Sequence, residues 1–287
     1  MVTMKPYRAI LLDINGTLHI ENSPIPEIHT LLYYIQQNYS HRLKIIYVSN
    51  TTQHSRSTII HQLTSYNIPV TTNELYTSLT TTAQLFQSNR LYHPDNRPYL
   101  LLTEDAKHEF YSVSGINQTI NESLSPDQYN CVVVGLSPES FNYQQLNTAF
   151  HILHSNTQKH KLIATHVGRY HKVSDGVNLG PGAFVRALEY STGITADIIG
   201  KPSHTFYTGI LHENQLQSCD CVMIGDDIKD DVIGAIKCGM DGILVRTGKY
   251  RSEDEYSYDI TPTHTYNNVV DAITAIIDAH KQTTSKL

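Results

Sequence analysis

The sequence predicts an α/β protein: a Rossmann-like parallel sheet with helices on both faces, and a second α/β domain inserted into it. Three observations point that way. Short, continuous apolar runs alternate with longer segments of helical periodicity, as expected of parallel strands joined by crossover helices. The outer runs stop at once on small, polar or charged residues, and open α/β sheets bind their ligands at such strand ends. A long middle stretch, residues 79–196, interrupts the series with strands of its own.

The run at 9–12 (AILL) reads as the first buried strand and stops at Asp13-Ile14-Asn15-Gly16-Thr17. Residues 28–35 then carry apolar side chains at helical spacing. The run at 45–48 (IIYV) is a second strand, ending at Ser49-Asn50-Thr51-Thr52, and 55–66 reads as the helix returning from it. In the middle stretch, strands are expected at 99–102, 131–134 and 162–165. Helices are expected at 143–153 and 183–190, the last introduced by Leu179-Gly180-Pro181-Gly182. The first pattern then resumes. Ile198-Ile199 leads to Gly200-Lys201-Pro202, 221–224 to Gly225-Asp226-Asp227, and 242–245 to Arg246-Thr247-Gly248; a helix at 269–280 closes the chain. The expected domains are a core of 1–78 plus 197–287 and an insert of 79–196.

A chain of 287 residues needs no metal or disulfide staple to bury a core. Its 40% hydrophobic and 17% charged composition is globular, and a net charge of −6 without a Lys/Arg run argues against nucleic acid and anionic membranes. Cys131, Cys219, Cys221 and Cys238 form no paired framework and no zinc spacing, which favours reduced thiols in a cytoplasmic protein. The start, MVTMKPYRAILLD, gives a short apolar run rather than a signal peptide, and no stretch is long enough to cross a bilayer.

The proposed strand ends bring Asp13, Ser49, Lys201 and Asp226 to one crevice. Phosphoryl transfer needs a nucleophile, positive charge for the transferring oxygens and a carboxylate-held metal. Asp13 can serve as a carboxylate nucleophile. Asp226 can share Mg²⁺ with it, since Mg²⁺ takes few protein carboxylates alongside water and phosphate oxygens. Lys201 supplies an ammonium, and Ser49 with the N–H groups after it can hold a phosphate oxygen. Blander roles stand beside these: Asp226 and Asp227 as helix-capping carboxylates, Lys201 as a surface lysine at a helix start, Ser49 and Thr51 as turn hydroxyls.

The four segments DINGTL (13–18), SNTT (49–52), GKP (200–202) and GDDxxDD (225–231) resemble the ordered motifs of the haloacid dehalogenase superfamily, and LHIE, LGPGAFVRALEY and GILVRTGKYR extend the likeness over nearly the whole chain. The resemblance implies a Mg²⁺-dependent phosphatase of small phosphorylated substrates or phosphoprotein side chains, with an aspartyl-phosphate intermediate and the insert as a C2-type cap. It implies Asp13 as nucleophile and metal ligand, and Asn15 as a ligand through its carbonyl. Ile14, Asn15, Ser49, Asn50, Thr51 and Lys201 would hold the phosphoryl group. Asp226 would bind the metal, with Asp227 and Asp231 as further candidates and Asp230 trusted less. It also admits a homodimer. His166, Arg169, Tyr170 and His171 of the cap are candidates for substrate contact, against a plain surface role.

One residue departs from the pattern. Phosphatases of this superfamily carry a second Asp two positions after the nucleophile, as proton donor and acceptor; here Asn15 stands there, and an amide does not ionise in the working range. Acid–base help is worth about 10²–10⁴-fold, so alkyl esters should suffer most. Pyrophosphate, phosphoramidates, aryl and acyl phosphates should suffer least. The alternative is a non-catalytic phosphate- or metabolite-binding protein. A receiver domain, which also uses a strand-end Asp, is argued against by the large insert.

Overall fold

The computed structural model describes residues 4–88, 96–173 and 176–284. Contacts divide the chain into two compact units: Met1–Ser49, Ile60–Tyr76 and Lys201–Leu287 in one, Asn50–Ile59 and Thr77–Gly200 in the other.

The first unit is built on a sheet in the order His264–Tyr266, Asp241–Val245, Cys221–Gly225, Ala9–Asp13, Lys44–Ser49, Leu75–Thr77. The first five of these strands run parallel. The central strand Ala9–Asp13 is buried at every position, which explains why its sequence is continuously apolar instead of alternating. Alternate side chains serve opposite faces. Ala9, Leu11, Ile46, Val48, Cys221 and Met223 pack on one face against Phe206, Tyr207 and Ile210 of helix His204–Glu213. Register pairs Leu12 with both Tyr47 and Ile224, so the ends of three neighbouring strands are level where Asp13, Ser49 and Asp226 follow.

The second unit has its own parallel sheet, ordered Asp197–Ile198, Lys161–Ala164, Cys131–Val134, Pro98–Leu101, and an antiparallel hairpin of Tyr170–Val173 with Gly176–Leu179. Phe86 and Phe110 meet edge to face at 5.3 Å within its core. Helix Glu104–Ser114 is capped by Thr103 and helix Tyr143–Ser155 by Asn142, both through side-chain oxygens that accept an N–H of the first turn.

Both the parallel α/β core and the inserted α/β region expected from the sequence are present. The segment Ile198-Ile199 pairs differently from its expected place in the core. Strand Asp197–Ile198 adds to Lys161–Ala164 of the second sheet, and Ile199 packs with Ile163 and Leu79. Residues 50–59 also cluster with the second unit. No helix of the described residues is long and apolar enough to cross a membrane.

Candidate active site

Asp13 closes strand Ala9–Asp13 and is 6% exposed. Lys201, 2% exposed, donates from Nζ to Asp13 Oδ1 at 2.6 Å and to Asp231 Oδ1 at 2.7 Å. That burial removes the reading of Lys201 as a surface lysine. Asp226 follows strand Cys221–Gly225 and is 2% exposed. Asp231 lies on the π-helical turn Ile228–Ile233, a departure from α geometry that recurs at functional sites. Its carboxylate crosses the end of the neighbouring strand. A Cβ on Gly225 would sit 2.2 Å from Asp231 Oδ2, so only glycine admits the approach.

The turn carrying Asp231 is pinned from two sides. The Asp227 N–H donates to Asp231 Oδ2 at 3.1 Å, and the buried Tyr207 hydroxyl donates to the carbonyls of Asp230 at 2.7 Å and Asp231 at 3.1 Å. Thr17 Oγ1 reaches Asp226 Oδ1 at 3.5 Å, and the Lys249 N–H donates to Asp226 Oδ2 at 2.6 Å.

Three buried carboxylates thus meet one buried ammonium. Asp13, Asp226 and Asp231 each offer an oxygen, and these oxygens all lie within 4.8 Å of one another. Burial, and then the Asp13 charge, push the Asp226 carboxyl up to about 7. Burial likewise raises Asp231, with Asp13, Asp226 and Asp227 adding to the push and Lys201 opposing it. Burial alone would lower Lys201, but Asp13 and Asp231 outweigh it and hold the ammonium charged. Asp13 Oδ2 is buried with no hydrogen-bond partner. A buried acceptor without a donor, inside an excess of negative charge, is the environment a hard divalent cation completes. The donor set fits Mg²⁺.

Asn15 and Ser49 share this end of the first unit: Ser49 Oγ lies 3.5 Å from Asn15 Oδ1, and Asn15 forms an isolated bridge with His19. The Ile14 carbonyl accepts the Leu18 N–H at 2.9 Å, tightening the loop after Asp13. Asn50 and Thr51 fall in the second unit, where a Cβ on Gly200 would lie 2.5 Å from Asn50 Oδ1. Asp227 takes the capping role: Oδ1 accepts the N–H groups of Lys229 and Asp230, both at 3.0 Å, and Oδ2 accepts Lys249 Nζ at 3.1 Å. Although burial opposes it, Lys249 and those N–H groups hold its carboxyl below the usual range. Asp230 contributes its main chain to the Tyr207 and Asp227 contacts.

In the second unit, His166 Nδ1 accepts the Gly168 N–H at 3.2 Å, and Arg169 and Tyr170 border a cavity of about 690 Å³ that Arg186 also lines. His171 lies on the Tyr170–Val173 strand. Gly180-Pro181-Gly182 does serve as a helix entry, with Pro181 preceding helix Gly182–Thr192.

Two family models match the chain, haloacid dehalogenase-like hydrolase over residues 10–115 and HAD-hydrolase-like over residues 198–272. The chain is 37% identical to haloacid dehalogenase-like hydrolase domain-containing protein 2 of Mus musculus over 277 residues, covering 96% of this chain and 98% of that one. It belongs to the haloacid dehalogenase-like hydrolases. Within this hydrolase family it is also 33% identical to the phospholysine phosphohistidine inorganic pyrophosphate phosphatase of Danio rerio, over 96% of this chain and 95% of that one. Its fold is shared with solved structures. The p-nitrophenyl phosphatase from Archaeoglobus fulgidus superposes with a TM-score of 0.82 at 24% identity, covering 94% of this chain and 99% of the other. The 4-nitrophenylphosphatase from Thermotoga maritima gives 0.82 at 23%, covering 94% and 98%.

Tyr207, Thr247, Gly248 and Lys249 join the site without having been expected there. The run ending at Val245 before Arg246-Thr247-Gly248 obeys the same strand-end rule as Asp13 and Asp226, and that signal could have found the last three.

Proposed function

We propose that this hydrolase is a Mg²⁺-dependent phosphatase that forms an aspartyl-phosphate on Asp13 and favours phosphates with activated leaving groups. The observation that carries the reading is the buried Asp13 carboxylate, one oxygen on Lys201 and the other without a hydrogen-bond partner, beside Asp226 and Asp231.

Asp13 attacks phosphorus, forming an O–P bond as the bond to the leaving group breaks; water then attacks the aspartyl-phosphate and frees the carboxylate. Lys201 stays charged through both steps and neutralises the transferring oxygens, while Ser49 offers a hydroxyl beside Asn15. Bound Mg²⁺, held by Asp13, Asp226 and the Asn15 carbonyl with Asp231 in support, supplies further charge for those oxygens. Asp227 stays with its helix cap. Asn15 can accept or donate a hydrogen bond but cannot deliver a proton, so the leaving group must depart with little protonation. Pyrophosphate, phosphoramidates and aryl or acyl phosphates meet that demand, on a small molecule or a phosphorylated side chain. The names of relatives that act on p-nitrophenyl phosphate, pyrophosphate, phospholysine and phosphohistidine agree with that class. The second unit, with Asn50, Thr51 and the cavity by Arg169, serves as a C2-type cap that selects substrate. The four free cysteines suit a reducing compartment such as the cytoplasm.

A second reading, a phosphate-binding protein without turnover, draws on the Asn15 amide. Hydrolysis of p-nitrophenyl phosphate with Mg²⁺ separates the two. Turnover by the wild type that Asp13→Asn abolishes supports the enzyme; equal background rates in both would leave the binding protein.

A further inference from the structure

We propose that the turn Thr247-Gly248-Lys249 is the positioning element of the acidic site, fixing the Asp226 carboxylate through the Lys249 main-chain N–H. The inference rests on the reading that Asp13, Asp226 and Asp231 hold a divalent cation.

Asp226 follows directly on its strand, but nothing in that strand determines where its carboxylate points. The turn does. It leaves strand Asp241–Val245, which pairs in parallel with Cys221–Gly225, and so arrives level with Asp226. The turn is closed by the Tyr250 N–H on the Thr247 carbonyl at 3.0 Å. Its Lys249 N–H then meets Asp226 Oδ2 at 2.6 Å, a short, charge-assisted contact. Thr247 Oγ1 donates to the Gly16 carbonyl at 2.6 Å, so the same turn is tied to the loop that follows Asp13. The two acidic strand ends are thereby held to one another through a third segment.

The fit is close enough to exclude any side chain at two positions. Gly248 has φ +56°, and a Cβ there would lie 2.0 Å from Asp226 Oδ2 and 2.7 Å from Gly16 Cα. Gly16 has φ +93°, and its Cβ would lie 2.2 Å from the same oxygen. Asp226 Oδ2 therefore lies in a cradle of glycine backbone. Groups that orient metal-binding side chains typically cost 10–100-fold in metal affinity when disturbed.

The test is calorimetric titration of the full chain with MgCl₂ alone, alongside urea unfolding without metal. Gly248→Ala is expected to weaken Mg²⁺ binding by about 10–100-fold. Thr247→Val, which loses the tie to Gly16, should weaken binding by an intermediate factor that Thr247→Ser restores. A merely structural turn would lower stability in urea and leave the affinity of the folded fraction unchanged, and that result overturns the inference. If Gly248→Ala does not fold, the Thr247 pair decides: wild-type affinity in a folded Thr247→Val overturns it equally. A wild type that binds no Mg²⁺ would instead sink the underlying reading of the acidic cluster.

Discussion

Two parallel sheets in this chain are built from the same kind of strand and end in different chemistry. Strand Ala9–Asp13 and strand Cys131–Val134 are both buried throughout. In the second sheet several hydroxyls near the strand ends bond to the main chain. Thr103 Oγ1 donates to the Gln53 carbonyl at 2.7 Å, Thr165 Oγ1 donates to the Val134 carbonyl at 3.1 Å, and Thr52 Oγ1 accepts the Leu136 N–H at 2.8 Å. In the first sheet the strand ends bear Asp13 and Asp226, with Asp231 across them, and Lys201 bonds to Asp13 and Asp231. Neutral hydroxyls satisfied by carbonyls make a rigid connection. Charges left in excess make a place where something charged must bind, and that contrast separates framework from site.

The sharpest way to break the comparison is to remove the buried ammonium that Asp13 and Asp231 share. Lys201→Met strands Asp13 and Asp231 without their partner, and losing one member of a buried charged pair costs about 3–5 kcal/mol. Urea unfolding at pH 7.5 should show that loss, and turnover of p-nitrophenyl phosphate should fall to background. Undiminished activity would remove Lys201 from the site. Phe110→Ala in the second sheet's core should cost a similar 3–5 kcal/mol, because it opens a cavity beside Phe86. Yet the folded fraction should keep wild-type Mg²⁺ affinity by calorimetry. A parallel loss of affinity would mean that framework and site are not independent.

A smaller effect is expected at Asn15. Asn15→Asp places an ionisable group two residues after Asp13, the proposed nucleophile, and alkyl phosphate hydrolysis should rise by at least about tenfold. An unchanged rate would show that another group already moves the proton. The smallest effect concerns pH and lies away from the acidic cluster. His280 is 6% exposed, and its Nε2 lies 3.0 Å from the Tyr7 carbonyl; burial, with Arg42 adding to it, lowers its pKa from the usual 6.5. Burial lowers His19 and His264 as well. Below about pH 6.5 these imidazoles take up protons in the unfolded chain that they refuse in the folded one, so their contribution to stability is present above that pH and is lost as pH drops through the folded values. Between pH 7.5 and 5.5 the urea midpoint of the wild type should fall relative to that of His280→Gln, because the raised Asp226 and Asp231 carboxyls push both proteins the other way alike. Equal slopes would mean that His280 titrates alike in both states.

The sequence made the sheet legible because strands buried on both faces must be continuously apolar, and it exposed Asp13 and Asp226 because each stands directly after such a run. Other parts lacked any such signature. Helix Ser78–Gln87 opens on a hydroxyl-rich run, where Thr77 and Thr80 cap it reciprocally and Thr82 Oγ1 donates to the Ser78 carbonyl at 2.7 Å. Two apolar residues at Ile198-Ile199 cannot say which sheet they join; pairing to Lys161–Ala164 decided that. Asp227 stands next to Asp226 in the sequence as a further metal candidate, and the N–H groups it caps, with its bond to Lys249 Nζ, give it a different role. Lys249 reaches Asp226 through its main chain, which any residue but proline carries, so its identity gave no hint.

Crystals soaked in MnCl₂ and measured at the manganese edge test the central claim most directly. The account predicts one anomalous peak bonded by the carboxylates of Asp13 and Asp226, close to Asp231 and weakened in Asp226→Asn. No peak there, or one held by other residues while those carboxylates stay together around Lys201, would contradict it.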